Sequence, residues 1–423
     1  MDWKALASGE TIDLDRQREL QARWDGRAGT RFTKSMRMFD FEANGKPFTQ
    51  VATVLTPEVA LVHEGRRVVV IASEGGHDDG REFMRDYHGR EGIGPWLARR
   101  GVTFISLTRL GRWNFFDGSG GGSWSGVPLG ERMPVFHRTQ AAHWGTDSWQ
   151  AAGAEGVSSP TGSTTTRVAR EGSALHEHMM ALTPDTSLRG FEHAIAQCLD
   201  LSRRSEMLTL YWGFSTGGPF LYALARRLAP DGYAGWGTAN FGLAYFANRA
   251  ATGDYQWLYD RSAFRVRERG YSDFTFYTRD LSDEQRAAQW SVALESPRFK
   301  SHEDTFMFFN VAAQTEMLTR LWHAPFLPAD VRARGLAALL RENIELNYPD
   351  ESLGSVAALD LFGTGDEILP PPVSSGAAAL VAPYFREHRH ALLQGRHHCI
   401  DADHAAAFGS CWLDAVTSGY FDR

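Results

Sequence analysis

The chain has 423 residues, of which 43% are hydrophobic and 22% charged. Those proportions are ordinary for a globular protein, and the length allows one large domain with insertions or two domains. A formal net charge of −7 gives no electrostatic reason to expect a nucleic-acid partner.

Residues 1–30 form a polar N-terminal segment, with a helix predicted from Leu14 to Trp24. The stretch has no apolar leader, and no run in the chain approaches the ~20 apolar residues of a membrane span. A cytoplasmic protein with no membrane partner and a small-molecule substrate is the expectation, and a homo-oligomer is compatible with it. Two strands, Arg31 to Phe41 and Pro47 to Leu55, flank Asn44-Gly45, a hairpin-turn signal. Arg67 to Ser73 reads as a buried central strand. Glu74-Gly75-Gly76-His77 follows it. A helix end at Gly94 to Arg100, a helix stop at Gly101 and a strand from Val102 to Leu107 come next.

From 109 to 187 the periodicity breaks down. The stretch is rich in Gly, Ser and Thr, yet carries Trp113, Trp124, Phe136, His143, Trp144 and Trp149. A long loop-rich insertion with that many aromatics is expected to fold over a functional site. No Gly-Lys-Ser/Thr follows its glycines, so it is not a phosphate-binding loop. Helical period returns from Leu188 to Leu201.

The sequence Met207 to Tyr222, MLTLYWGFSTGGPFLY, organises the rest. Met207 to Trp212 reads as a buried strand and Pro219 to Leu228 as a helix. Between them Ser215 sits with Gly213 two residues before it and Gly217 two after, a nucleophile elbow in its strand–turn–helix context. The glycines are needed because the turn leaves no room for side chains, and the following helix aims its free N–H groups at a developing oxyanion. A short strand is predicted at Tyr233 to Phe241. Residues 243–354 then lose the strand–helix alternation and read as a helical cap, with Phe306, Phe308, Phe309 and Trp322 at near-helical spacing. The core resumes with a strand at Val356 to Gly363, a helix at Ser374 to Phe385, a strand at His390 to Gln394 and a closing helix from Asp403 to Thr417. Alternating strands and helices predict a mainly parallel sheet covered on both faces.

Ser215, Asp366 and His398 stand in the order Ser…Asp…His, each just after a predicted strand, so they converge beyond the carboxyl ends of the sheet. A serine hydroxyl needs a base to take its proton, and the base needs an acid to fix its tautomer. Other clusters read as inert. His176-Glu177-His178 lacks a third metal ligand and reads as a polar surface segment, as do His388 and His390. Cys198, Cys399 and Cys411 are odd in number and have no metal spacing, which favours free thiols in a reducing compartment.

From Phe32 onward the chain resembles the α/β-hydrolase superfamily. The motifs that carry the likeness are GFSTGG at 213–218, GTGDEILP at 363–370 and GRHHCIDADH at 395–404, with weaker matches in SEGG at 73–76 and SLTRLGR at 106–112. The resemblance implies an α/β-hydrolase core at 31–242 and 355–423, with the loop-rich insertion and the cap as additions. It also implies a Ser–His–Asp acyl-transfer site needing no cofactor or metal. The family often has His-Gly at its oxyanion loop where this chain has Glu74-Gly75. The oxyanion N–H groups then fall to Thr216 and Gly76. Glu74, His77 and Phe214 are candidates for touching substrate, although Glu74 could equally be held in a salt bridge. Many relatives carry an acidic residue five positions after the catalytic histidine, and Asp403 is five after His398, which favours His398 over His397.

The activity implied is hydrolysis of a carboxylic ester, or less readily an amide, of a small to medium apolar or aromatic acid. An acyltransferase is the alternative within enzymes, and a ligand-binding protein that retains the triad, as some relatives are, is the alternative outside them. Dehalogenase and epoxide hydrolase chemistry is disfavoured because those relatives carry a carboxylate at the elbow.

Overall fold

The computed structural model describes residues 1–75, 80–85, 90–110, 154–158, 165–169, 177, 181, 184–215, 217–238, 353–366, 371–398 and 402–423. Its centre is a 10-stranded sheet. The chain enters through β1 (Glu10–Ile12) and helix α1 (Leu14–Asp25), whose N-cap Asp13 accepts a hydrogen bond from the Arg16 backbone N–H at 2.7 Å. A long hairpin follows, β2 (Phe32–Ala43) and β3 (Lys46–Pro57). Asn44 and Gly45 both have positive φ, 51° and 68°, as a two-residue hairpin turn requires.

After β4 (Val62–His63) come β5 (Arg66–Ser73), helix α2 (Ile93–Ala98) and β6 (Thr103–Thr108). A separate antiparallel hairpin, β7 (Ala154–Ser158) with β8 (Thr165–Ala169), precedes helix α3 (Pro184–Cys198). The nucleophile strand β9 (Met207–Phe214) leads into α4 (Gly217–Ala225) and then β10 (Gly232–Trp236). The chain closes with β11 (Ala357–Gly363), α5 (Pro371–Val381), β12 (Glu387–Leu393) and α6 (Ala402–Thr417).

The sheet runs β1-β12-β11-β10-β9-β5-β6-β3-β2, with β4 beside β5. The β2, β3 and β4 pairings are antiparallel and all the others parallel. From β5 the chain moves outward to β6, then returns to the other side of β5 with β9 and proceeds through β10 and β11 to β12. The order therefore reverses between β5 and β9, the kind of point beyond whose carboxyl ends open α/β sheets bind ligands.

Alternate residues of the central strands serve two cores. Leu208, Leu210 and Trp212 pack with α1, α2 and α6, while Met207 and Tyr211 pack with α3 and α4. Trp212 lies among Phe83, Phe104 and Phe408 at ring-centroid distances of 5.0, 5.8 and 5.0 Å. This buried aromatic cluster fixes the strand that carries the serine.

The structure departs from the sequence reading in several places. The polar N-terminal segment contributes β1, which extends the sheet beyond β12 in parallel register; three residues are too few to show a period. The stretch read as patternless contains β7 and β8 and the start of α3. His388 and His390, read as surface residues, are buried in β12. His388 accompanies Asp360, and His390 lies between the hydroxyls of Ser8 and Ser375 at 2.8 and 3.1 Å. Apart from residues 109–110, 177 and 181, the rest of the loop-rich insertion, and the cap segment 243–354 up to residue 352, lie outside the described residues. Cys198 and Cys411 are free thiols.

Burial lowers the His390 pKa from 6.5 to about 4, helped by His388 and opposed by Asp360. The unfolded chain binds this proton more readily than the folded one, so stability falls as the pH drops from 6.5 towards about 4. Urea denaturation across that window should show the loss, and His390→Gln should flatten it.

Candidate active site

Ser215 follows β9 directly and has φ +49°, a conformation that costs a residue with a Cβ on the order of 1–3 kcal/mol. Its backbone N–H donates to the Trp236 carbonyl at 3.2 Å, and its own carbonyl accepts from Gly218 N–H at 3.2 Å. The flanking glycines are required by fixed backbone. A Cβ on Gly213 would sit 2.7 Å from the Gly218 Cα, and one on Gly217 would run into the Ser73 and Glu74 carbonyls. The β9 strand and α4 helix therefore meet with no space for side chains, and the serine sits at the tip of the turn between them.

Asp366 comes from the turn after β11. The turn is tied by Asp366 N–H to the Gly363 carbonyl at 3.0 Å and by Gly365 N–H to the Arg396 carbonyl at 2.8 Å. The second bond links it to the segment after β12 that carries His398. The His398 Nδ1 is 2.9 Å from Asp366 Oδ2, and its Nε2 is 3.1 Å from Ser215 Oγ. All three side chains are buried. With a carboxylate at Nδ1, that nitrogen carries the proton and Nε2 is left to accept from the serine hydroxyl.

The histidine is held elsewhere too. The Trp236 indole N–H donates to the His398 carbonyl at 3.0 Å, and the Phe214 ring lies 5.5 Å from the imidazole. The neighbouring His397 faces a different partner. Its ring centroid is 3.9 Å from that of His404, and its backbone N–H donates to His404 Nε2 at 3.1 Å. Asp403, in the first turn of α6, is exposed and bridges to Arg90 at 3.3 Å.

Glu74, at the end of β5, is fully buried. Its Oε1 accepts from the Arg109 backbone N–H at 2.8 Å and from Arg109 Nε at 3.3 Å. The same guanidinium donates to the Gly75 carbonyl, and its Cζ lies 5.0 Å from the Phe220 ring centroid. Of the two readings of Glu74, the geometry is that of the salt bridge. Phe214 is a buried wall against His398. Gly76, His77 and Thr216 lie outside the described residues.

The sequence reading missed Arg109, Trp236 and Gly237 as parts of this site. One signal for Arg109 was available. A carboxylate directly after a buried strand needs a cation, and Arg109 follows the neighbouring strand β6, whose Leu107 pairs with Ser73.

Removing one partner of a buried ion pair leaves the other charge uncompensated, at a cost of about 3–5 kcal/mol. Glu74→Ala should therefore lower stability by about that amount, read as a fall in the denaturation midpoint at unchanged slope. Glu74→Gln, which still accepts from the Arg109 backbone, should lose less.

No family model matches the sequence, and no curated protein matches it. Solved structures do. A thermostable carboxyl esterase from Bacillus coagulans is 12% identical with a TM-score of 0.40, covering 91% of this chain and 100% of its own. A bromoperoxidase from Bacillus anthracis is 13% identical with a TM-score of 0.39, covering 89% and 98%. A putative lipase from Acinetobacter baumannii is 9% identical with a TM-score of 0.38, covering 95% and 97%. These likenesses are too distant to carry an argument about activity, and the fold is read from the chain's own topology. A mostly parallel sheet with an antiparallel start, an order reversal between β5 and β9, and a Gly-x-Ser-x-Gly turn leading from its central strand into a helix give this chain the α/β-hydrolase fold.

Proposed function

We propose that the protein is a serine hydrolase that cleaves a carboxylic ester of a small to medium apolar or aromatic acid. The observation that carries the reading is the unbroken polar chain from Ser215 Oγ through the His398 imidazole to Asp366, with gaps of 3.1 and 2.9 Å. A strained, glycine-flanked serine at its outer end supports it.

The mechanism follows from which atom holds each proton. His398 Nε2 takes the Ser215 proton as Oγ attacks the substrate carbonyl, and Asp366 stabilises the imidazolium that forms. The negative charge on the carbonyl oxygen is met by backbone N–H groups, assigned to Thr216 at the head of α4 and to Gly76 after β5. Collapse of the tetrahedral species returns the proton from His398 to the departing alkoxide. Water, deprotonated by the same imidazole, then attacks the acyl-enzyme and regenerates Ser215. The segment 243–354 is assigned as the cap that selects the acyl group.

Ser215→Ala should lower kcat on an activated ester by several orders of magnitude, leaving on the order of 10³-fold over water from oxyanion contacts and binding. His398→Ala should fall to a similar rate, whereas His397→Ala should lose far less. Near-normal turnover by folded Ser215→Ala protein would refute the scheme, and the reverse ranking of the histidines would move the base to His397.

A further inference from the structure

One buried carboxylate near the site takes no part in that scheme. Asp360, in the middle of β11, is almost wholly buried, and burying a charge is costly unless partners hold it. Two groups do. His388 Nε2 lies 2.9 Å from Asp360 Oδ2, and the Thr238 hydroxyl donates to Asp360 Oδ1 at 3.1 Å. The approach of Thr238 to Asp360 depends on Gly235, where a Cβ would occupy the space between them.

Thr238 does not end at this bond. A Cβ on either Gly213 or Gly218, the glycines that bracket the serine turn, would come within 2.9 Å of the Thr238 Cγ2 methyl. The residue before it, Gly237, has φ +51°, and a Cβ there would lie 3.0 Å from both Cε1 and Nδ1 of His398 and 3.5 Å from Asp366 Oδ2. Residues 237 and 238 thus lie beside the serine turn, the base and the acid, with no room for a further side chain at Gly213, Gly218 or Gly237. Two hydrogen bonds pin them from below: Gly237 N–H to the Leu361 carbonyl at 3.0 Å, and Thr238 to Asp360. Both acceptors are on β11, the strand that also delivers Asp366.

We infer that Asp360 is a positioning residue: through the Thr238 hydroxyl it holds the Gly237–Thr238 backbone as a wedge between the serine turn and the His398–Asp366 pair. The inference rests on the triad reading of the preceding section. His388 keeps the carboxylate oriented from the far side. A wedge held by a directional bond fixes the imidazole to a fraction of an ångström, and misplacing a reacting group by about 1 Å can cost on the order of 10²-fold in rate.

The test uses Thr238→Val, which removes the hydroxyl at nearly constant shape, together with Asp360→Asn and Thr238→Ser. Each full-length protein is titrated with a fluorophosphonate to count competent sites, and kcat and KM on an activated ester are then expressed per labelled site. The expected result is a loss of about 10- to 100-fold in kcat per site for Thr238→Val, with KM changed less than about twofold. Thr238→Ser should recover most of that loss. The acid limb of the kcat/KM pH profile should also move, because the base sits differently against its acid. A purely structural role would lower the labelled fraction or the denaturation midpoint while kcat per site and the pH profile stayed as in wild type, and that result overturns the inference. Should Asp360→Asn fail to fold, Thr238→Val decides alone. Wild-type protein that neither labels nor turns over ester would overturn the hydrolase reading and this inference with it.

Discussion

The structure depends on the closeness of three backbone segments at the top of the central strand. The end of β5, the serine turn and the first residues of α4 approach until only glycine fits at 213 and 217, and Ser215 is left at φ +49°. A turn under that strain persists only when its surroundings over-determine it. Here they do. All of β9 is buried, it is paired on both sides by parallel neighbours, and Trp212 is locked in an aromatic cluster just before the turn.

Among the described residues, several buried carboxylates gather at the carboxyl edge of the sheet. Three carboxylates lie there or just beneath it, and each has a different partner. Asp366 faces His398, Glu74 faces Arg109, and Asp360 faces His388 and Thr238. Apolar side chains of similar volume would often stabilise a fold as well as buried ion pairs do. What directional polar pairs add is position. One such pair ties the loop after β5 to the end of β6, one orients an imidazole toward the serine, and one binds the Thr238 hydroxyl after β10. Neighbouring strands therefore deliver their C-terminal residues to one place with little freedom.

Most of this frame was legible in the sequence because periodicity and steric punctuation are local. The strands at 67–73, 102–107, 207–212 and 356–363 were readable as short apolar runs, Asn44-Gly45 as a hairpin turn, and Gly213 and Gly217 as a serine turn. The residues brought together at His398 were readable too, since each follows a strand. Pairings set by the tertiary fold were not. The β1 strand is three residues long and exists because β12 offers an edge. His388 and His390 looked polar and exposed, and only the tertiary packing around β12 makes them buried, His388 beside Asp360 of β11 and His390 between Ser8 and Ser375. Thr238 carries no local signal, because its role lies in what it touches across the sheet, and Arg109 is signalled only by the need of Glu74 for a cation.

In the proposed reaction Ser215 Oγ is the attacking atom and His398 is the base that activates it. The most direct measurement is peptide mass mapping after treatment of the native protein with one equivalent of a fluorophosphonate, followed across pH. A single adduct is expected, on the peptide containing Ser215, formed at a rate that falls as the imidazole is protonated. An adduct on any other side chain, or none on native protein that still hydrolyses an activated ester, would contradict it.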